Sequence, residues 1–293
     1  MTLSKKNKGI IFIISAAFCF ALMNAFVRLA GDIPTVQKSF FRNFVALIFA
    51  FFVLKKSHVP LGWQKGNLKF HLIRSTCGTL GILCNFYAID HLNISDASML
   101  NKMSPFFAVI FSIIFLKEKV KLWQIVFVAA AFAGALFIIK PSFTGLEFMP
   151  ALIGFIGGMG AGAAYTAVRH LGNRGEKGAF IVLFFSGFSC AVTLPYLILN
   201  FTPMSVPQLL SLLCAGLAAA GGQFSITAAY FNTPAKEISV YDYSQILFAA
   251  VLGFFLFDQI PDYLSFIGYG IIIASAVGMF LYNNRKAEYK SPK

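Results

Sequence analysis

The chain has 293 residues, of which 58% are hydrophobic and 12% charged, with a formal net charge of +13. Soluble domains carry about 25% charged residues, so this chain lacks the polar material for a water-facing surface, and lipid must cover much of it. The basic residues sit between apolar runs, where they act as topology signals. That excludes the nucleic-acid reading a strongly basic chain would otherwise invite.

A span needs about 20 mostly apolar residues to cross a hydrocarbon core of roughly 30 Å. In chain order the candidates are 9–29, 35–54, 70–89, 95–116, 121–139, 149–168, 178–199, 207–231, 237–257 and 263–282. The first follows Lys5, Lys6 and Lys8 as a signal peptide would. It has no small-residue cleavage site before Arg28, so it is expected to be an uncleaved span. The connections are short, and residues 283–293 form a polar tail. Asn93-Ile-Ser95 and Asn200-Phe-Thr202 match the glycosylation pattern by chance, in loops against the membrane. The five cysteines (Cys19, Cys77, Cys84, Cys190, Cys214) all lie inside apolar runs and form no disulfide framework.

Basic residues set the orientation. With the N-terminus inside, the inner segments hold Lys5, Lys6, Lys8, Lys55, Lys56, Lys65, Lys69, Lys117, Lys119, Lys121, Arg169, Arg174, Lys177, Lys236, Arg285, Lys286, Lys290 and Lys293, and the outer loops hold only Lys38 and Lys140. Both termini are therefore expected on the cytoplasmic side.

The fourth and ninth spans share one layout at an offset of 141 residues. Asp96 aligns with Glu237, Ser98 with Ser239, Asn101 with Asp242, Lys102 with Tyr243 and Phe107-Ala108 with Phe248-Ala249. At the same offset Val27-Arg28 meets Val168-Arg169, Gly31 meets Gly172, Phe44 meets Phe185 and Gly81 meets Gly222. Each half holds five spans, an odd number, so the second must be inserted upside down relative to the first. The expected fold is an all-α integral membrane protein of ten transmembrane helices. Residues 9–140 and 149–282 form two inverted five-helix repeats, the arrangement of alternating-access transporters with solute bound at the repeat interface.

The run Arg74-x3-Gly78-x2-Gly81, then Tyr87-Ala88, Ser95-Asp96-Ala97, Ser104-Pro105 and Leu116-Lys117-Glu118, resembles the EamA-type permeases of the drug/metabolite transporter superfamily. Pro34 with Phe41-Arg42 fits the second helix of that family. The resemblance covers nearly the whole chain and is strongest from Arg74 to Pro141. It implies ten helices around a central cavity lined mainly by the first, third, fourth, sixth, eighth and ninth. It does not fix a substrate, because members carry amino acids, nucleobases, sugars and other metabolites.

Charged residues inside spans are costly, at about 2.5–3.5 kcal/mol for a lysine at mid-bilayer, and mark cavities or partners. Lys102 and Asp242 are the expected solute-binding pair. Counted along straight helices they lie ~13 Å apart in depth, too far for an ion pair, as two edges of one cavity. Asn24, Tyr87, Asn101, Tyr165, Gln223, Tyr241, Tyr243 and Gln245 are the neutral candidates beside them. Asp96, Glu237 and Pro105 are expected to be structural or gating, as is Arg42, paired with Asp32 or Asp96. Arg28, Arg74 and Arg169 read as interface anchors. Gly154, Gly158 and Gly162 form overlapping G-x-x-x-G steps, a close-packing signal rather than a nucleotide loop.

No H-E-x-x-H, G-x-S-x-G or metal-spaced Cys/His pattern occurs, so no enzyme activity, metal or cofactor is expected. The expected function is alternating-access secondary transport of a small organic metabolite. An anionic or zwitterionic one, such as an amino acid or organic acid, is favoured. The alternative is a membrane enzyme or a receptor-like protein without transport. The expected partners are the bilayer and a small-molecule substrate, with protons as a candidate coupling ion, a homodimer as a candidate assembly, and no nucleic acid. The default location is a bacterial plasma membrane.

Overall fold

The computed structural model describes residues 4–57, 62–91, 100–139, 148–258 and 260–288, whose only regular secondary structure is helical. Helix α1 (Lys5–Leu29) starts where the Ser4 hydroxyl accepts the Asn7 N–H, satisfying one first-turn donor, and ends ahead of Gly31 at φ +65°. α2 (Thr35–Lys56) begins behind Pro34 and closes on Lys55 and Lys56, cations at the negative end of its dipole. Then come α3 (Leu68–His91), α4 (Ser104–Leu116), α5 (Leu122–Ile139), α6 (Phe148–Asn173), α7 (Gly178–Leu199) and α8 (Val206–Asn232). The chain continues through α9 (Ala235–Ile238), a 3₁₀ turn over Ser239–Tyr243, α10 (Ser244–Phe257) and α11 (Tyr263–Glu288).

Among the described residues eight stretches are long and apolar enough to cross a membrane, with α9 to α10 counted as one. Against the ten spans expected, the third and fourth are the exceptions. α3 has 24 residues but carries Lys69, Arg74, Asn85 and Asp90, and α4 has only 13 residues. Phe52, Phe115, Phe255 and Phe266 are exposed on the bundle surface, the condition of a lipid-facing side chain. The chain is a multi-pass integral membrane protein.

The fourth and ninth spans, expected to be continuous, are both broken. In the fourth, Leu100–Asn101 is helical, Lys102–Met103 is a turn, and α4 restarts with Pro105, which has no N–H to donate, in its first turn. In the ninth, the 3₁₀ turn lies between α9 and α10. Both resumed helices end the same way. Lys117 (φ +54°) and Asp258 (φ +51°) take left-handed backbone, with their N–H groups on the carbonyls of Ser112 and Gly253. Each of these two pairs keeps the offset of 141.

The packing repeats too. α1 packs along α8 as α6 packs along α3, and α1 against α10 as α6 against α4; α2 lies on α7, and α5 on α11. A Cβ on Gly222 would meet the Phe20 ring at 2.5 Å, and a Cβ on Gly81 would meet the Ala161 nitrogen at 3.1 Å. These two contacts are the same contact with the halves exchanged. The glycine face of α6 seats the broken fourth span. Gly158 abuts the Leu100 carbonyl, and a Cβ on Gly162 would sit 2.9 Å from the Ser104 carbonyl oxygen. Ile13, Phe20, Val168, Ile226, Tyr230 and Ile238 belong to the apolar core around these breaks.

Candidate solute-binding site

The two breaks meet tip to tip. Lys102 Nζ lies 3.5 Å from Asp242 Oδ2 and donates to Gln245 Oε1 at 2.7 Å. The Tyr243 hydroxyl donates to the Lys102 carbonyl oxygen at 3.1 Å. This corrects the expected separation of ~13 Å, which assumed a constant rise of about 1.5 Å per residue along straight helices. The turns at 102–103 and 239–243 interrupt that rise and bring both polar centres to one level. Lys102 and Asp242, 7% and 5% exposed, form an internal ion pair.

Beside this pair lies a cavity of about 130 Å³. Of the expected residues it brings together Asn24, Asn101, Tyr165, Gln223 and Gln245. It also brings in Arg42; of the partners expected for it, Asp32 is exposed and Asp96 lies outside the described residues. Tyr243, fully buried, acts through its bond to Lys102 rather than on the cavity wall, and Tyr241 lies in the apolar core. Tyr87 is 38% exposed, stacks on His91 with ring centroids 4.0 Å apart, and does not line the cavity. Glu237 is half-buried in α9, and Pro105 is buried at the restart of α4.

Arg74 is the residue that sequence reasoning misplaced. Expected at a membrane interface, it is 2% exposed, lines the cavity, donates from Nη2 to Gln223 Oε1 at 2.9 Å, and lies 3.7 Å from the Phe185 ring centroid. A signal was present one turn along: Gly78 has no side chain, and a Cβ there would fall 2.5 Å from Arg74 Nη1. Arg28 and Arg169, aligned in sequence, both cap helix ends. Arg28 lies over the Phe257 ring, 4.5 Å from its centroid. Arg169 lies 3.4 Å from Glu118 Oε1 and donates to the last carbonyls of α8, those of Tyr230 (3.1 Å) and Phe231 (2.9 Å).

That end of the bundle carries further polar contacts. Glu176 Oε1 accepts from the Gln64 backbone N–H (2.8 Å) and Asn67 Nδ2 (2.9 Å) and lies 3.4 Å from His71 Nε2. Lys236 Nζ donates to the Lys119 carbonyl at 2.6 Å. No cluster of metal-ligating side chains occurs among the described residues.

Broken spans beside a cavity lined by two arginines and several amides are the architecture of membrane carriers of small molecules. Residues 7–140 match the EamA-like transporter family. The chain is similar to the pseudopaline exporter of Pseudomonas aeruginosa, with 29% identity over 281 residues covering 95% of this chain and 98% of that one. It is also similar to mouse solute carrier family 35 member G1 (27% identity, 92% and 77% covered) and to a riboflavin transporter of Brucella anthropi (24%, 90% and 95%). A crystal structure sharing 14% identity superposes with a TM-score of 0.83, covering 97% of this chain and 99% of the other; that likeness concerns the fold.

Proposed function

We propose that the protein is an alternating-access secondary transporter of a small organic metabolite, anionic or zwitterionic, with both termini on the cytoplasmic side of a bacterial plasma membrane. The observation that carries this reading is the pair of broken spans, whose tips meet beside the cavity through Lys102, Asp242 and Tyr243. Discontinuous helices at a repeat interface are where such carriers hold their solute.

The inverted-repeat reading, 9–140 against 149–282, is supported by the exchange symmetry of the packing and by the direction of counterpart helices. α2 and α7 run antiparallel, since Gln37 bonds Thr202 (2.8 Å) and Cys190 lies 4.0 Å from the Phe40 carbonyl. α5 and α11 do the same, with Gln124 bonded to Asn283 (3.3 Å) and Gly134 against Gly268. Counterparts that run antiparallel call for a two-fold axis in the membrane plane. The Arg169 contacts and the Glu176 cluster close the lysine-rich end, so the bundle rests in a state shut towards the cytoplasm.

The test is counterflow in proteoliposomes, with a panel of organic acids and amino acids offered one at a time. Accumulation of at least one solute above protein-free vesicles is the expected result. Binding of a panel solute without flux would overturn the carrier reading in favour of a receptor.

A further inference from the structure

We propose that Arg42 and Arg74 form a two-guanidinium site that takes a compact solute carrying two negative charges. The inference rests on the carrier reading above and names the cargo class of the same cavity.

Lys102 is a buried cation beside the cavity, but Asp242 neutralises it. The cavity nevertheless keeps two others. Arg42 and Arg74 are 5% and 2% exposed, both line it, and among the described residues no carboxylate pairs with either. The Nε of each is buried with no hydrogen-bond partner. Buried charges are normally paired, because removing an ion from water costs several kcal/mol even after relaxation. Two like charges sharing one cavity aggravate that cost. An anion restores the balance, and the planar fork of a guanidinium fits carboxylate and phosphate oxygens two at a time.

The count of charges selects among anions. A monoacid leaves one guanidinium uncompensated. A zwitterion brings an ammonium into a cavity that no described carboxylate lines, the acid beside it, Asp242, being already bonded to Lys102. A dianion balances the two guanidinium groups that line the cavity. Arg74 is aimed rather than free, held by Gln223 and by the Phe185 ring, so little side-chain freedom is lost on binding. In this state the cavity, at about 130 Å³, is small against the roughly 300–1,000 Å³ of drug-sized pockets. A compact dicarboxylate and a small phosphate monoester share the required chemistry.

The experiment is thermal melting of the purified protein at fixed ionic strength with succinate, glycerol phosphate, lactate, alanine or putrescine. Succinate, glycerol phosphate or both should raise the midpoint at millimolar concentration, and which of them does so identifies the acidic groups. Lactate and alanine should act about tenfold more weakly or worse, the loss expected for one charged hydrogen-bonded contact, and putrescine not at all. Arg42→Gln and Arg74→Gln should each lower the response to the dianion by about tenfold or more. An equal response to lactate, alanine or putrescine, or none to either dianion, overturns the proposal using the wild-type protein alone, whatever the variants' folding. Counterflow then separates the two readings. Dianion-selective binding without flux removes the carrier and leaves the site, whereas flux of alanine unaffected by Arg74→Gln removes the site and leaves the carrier.

Discussion

The Tyr243 hydroxyl donates to the Lys102 carbonyl oxygen at 3.1 Å, and the two residues are 141 positions apart, each the counterpart of the other. The bond ties the two helix breaks together, with the Lys102–Asp242 pair beside it. Tyr243→Phe keeps the ring and removes one donor. A net loss of about 0.5–1.5 kcal/mol is expected, read as a fall of a few degrees in the melting midpoint. An unchanged midpoint would show that the contact contributes nothing.

The ion pair itself should behave as a unit. Lys102→Met strands the Asp242 carboxylate in an apolar junction and should destabilise the fold by about 3–5 kcal/mol. The double variant Lys102→Met/Asp242→Leu removes both charges and should recover much of that loss. A double-mutant cycle measured by thermal melting checks the coupling, and additivity of the two single changes would sink it.

Asp242 also carries the candidate coupling role, as the buried carboxylate paired with Lys102. Asp242→Asn should abolish uptake driven by a pH gradient while leaving exchange at equal pH detectable. Undiminished gradient-driven uptake in proteoliposomes would free Asp242 from that role.

The glycine face of α6 predicts a graded series. A Cβ on Gly162 would lie 2.5 Å from Phe107 Cβ and 2.9 Å from the Ala108 nitrogen, so α4 must shift to admit it. Gly162→Ala is expected to cost about 1–3 kcal/mol by overpacking, and Gly162→Leu more. Gly270, with no atom near its would-be Cβ, is the control: Gly270→Ala should melt at or above the wild-type midpoint.

The lysine-rich end offers a gate to open. Arg169 ties the end of α8 to Glu118 just past α4, so Arg169→Gln removes the charged donor of three contacts at once. In a background whose only cysteine is Cys77, one turn from Arg74, labelling by a water-soluble maleimide should become several-fold faster. An unchanged rate would mean that the Glu176 cluster holds this end shut without Arg169.

The sequence determined by itself whatever depends on local composition and period. Long apolar runs cannot be covered by water, so membrane residence and most helix positions were legible. The offset of 141 was visible because matching residue types recur at it, and the contacts Gly81–Ala161 and Gly222–Phe20 keep it. Gly158 and Gly162 announced close packing, and Asn24, Asn101, Tyr165, Gln223 and Gln245 were legible as cavity residues because neutral polar groups in a span need a non-lipid face. What faces what was decided only by the tertiary structure. Straight helices put Lys102 and Asp242 far apart; two breaks, held by contacts distant in sequence, put them 3.5 Å apart. Arg74 lies six residues past the start of α3, where a long side chain can reach either water or the bundle interior. The rotation of α3 against α6, with the space left at Gly78, turns it inward. Helix rotation and helix breaks are set by the fit of neighbouring surfaces, and a single span does not contain that information.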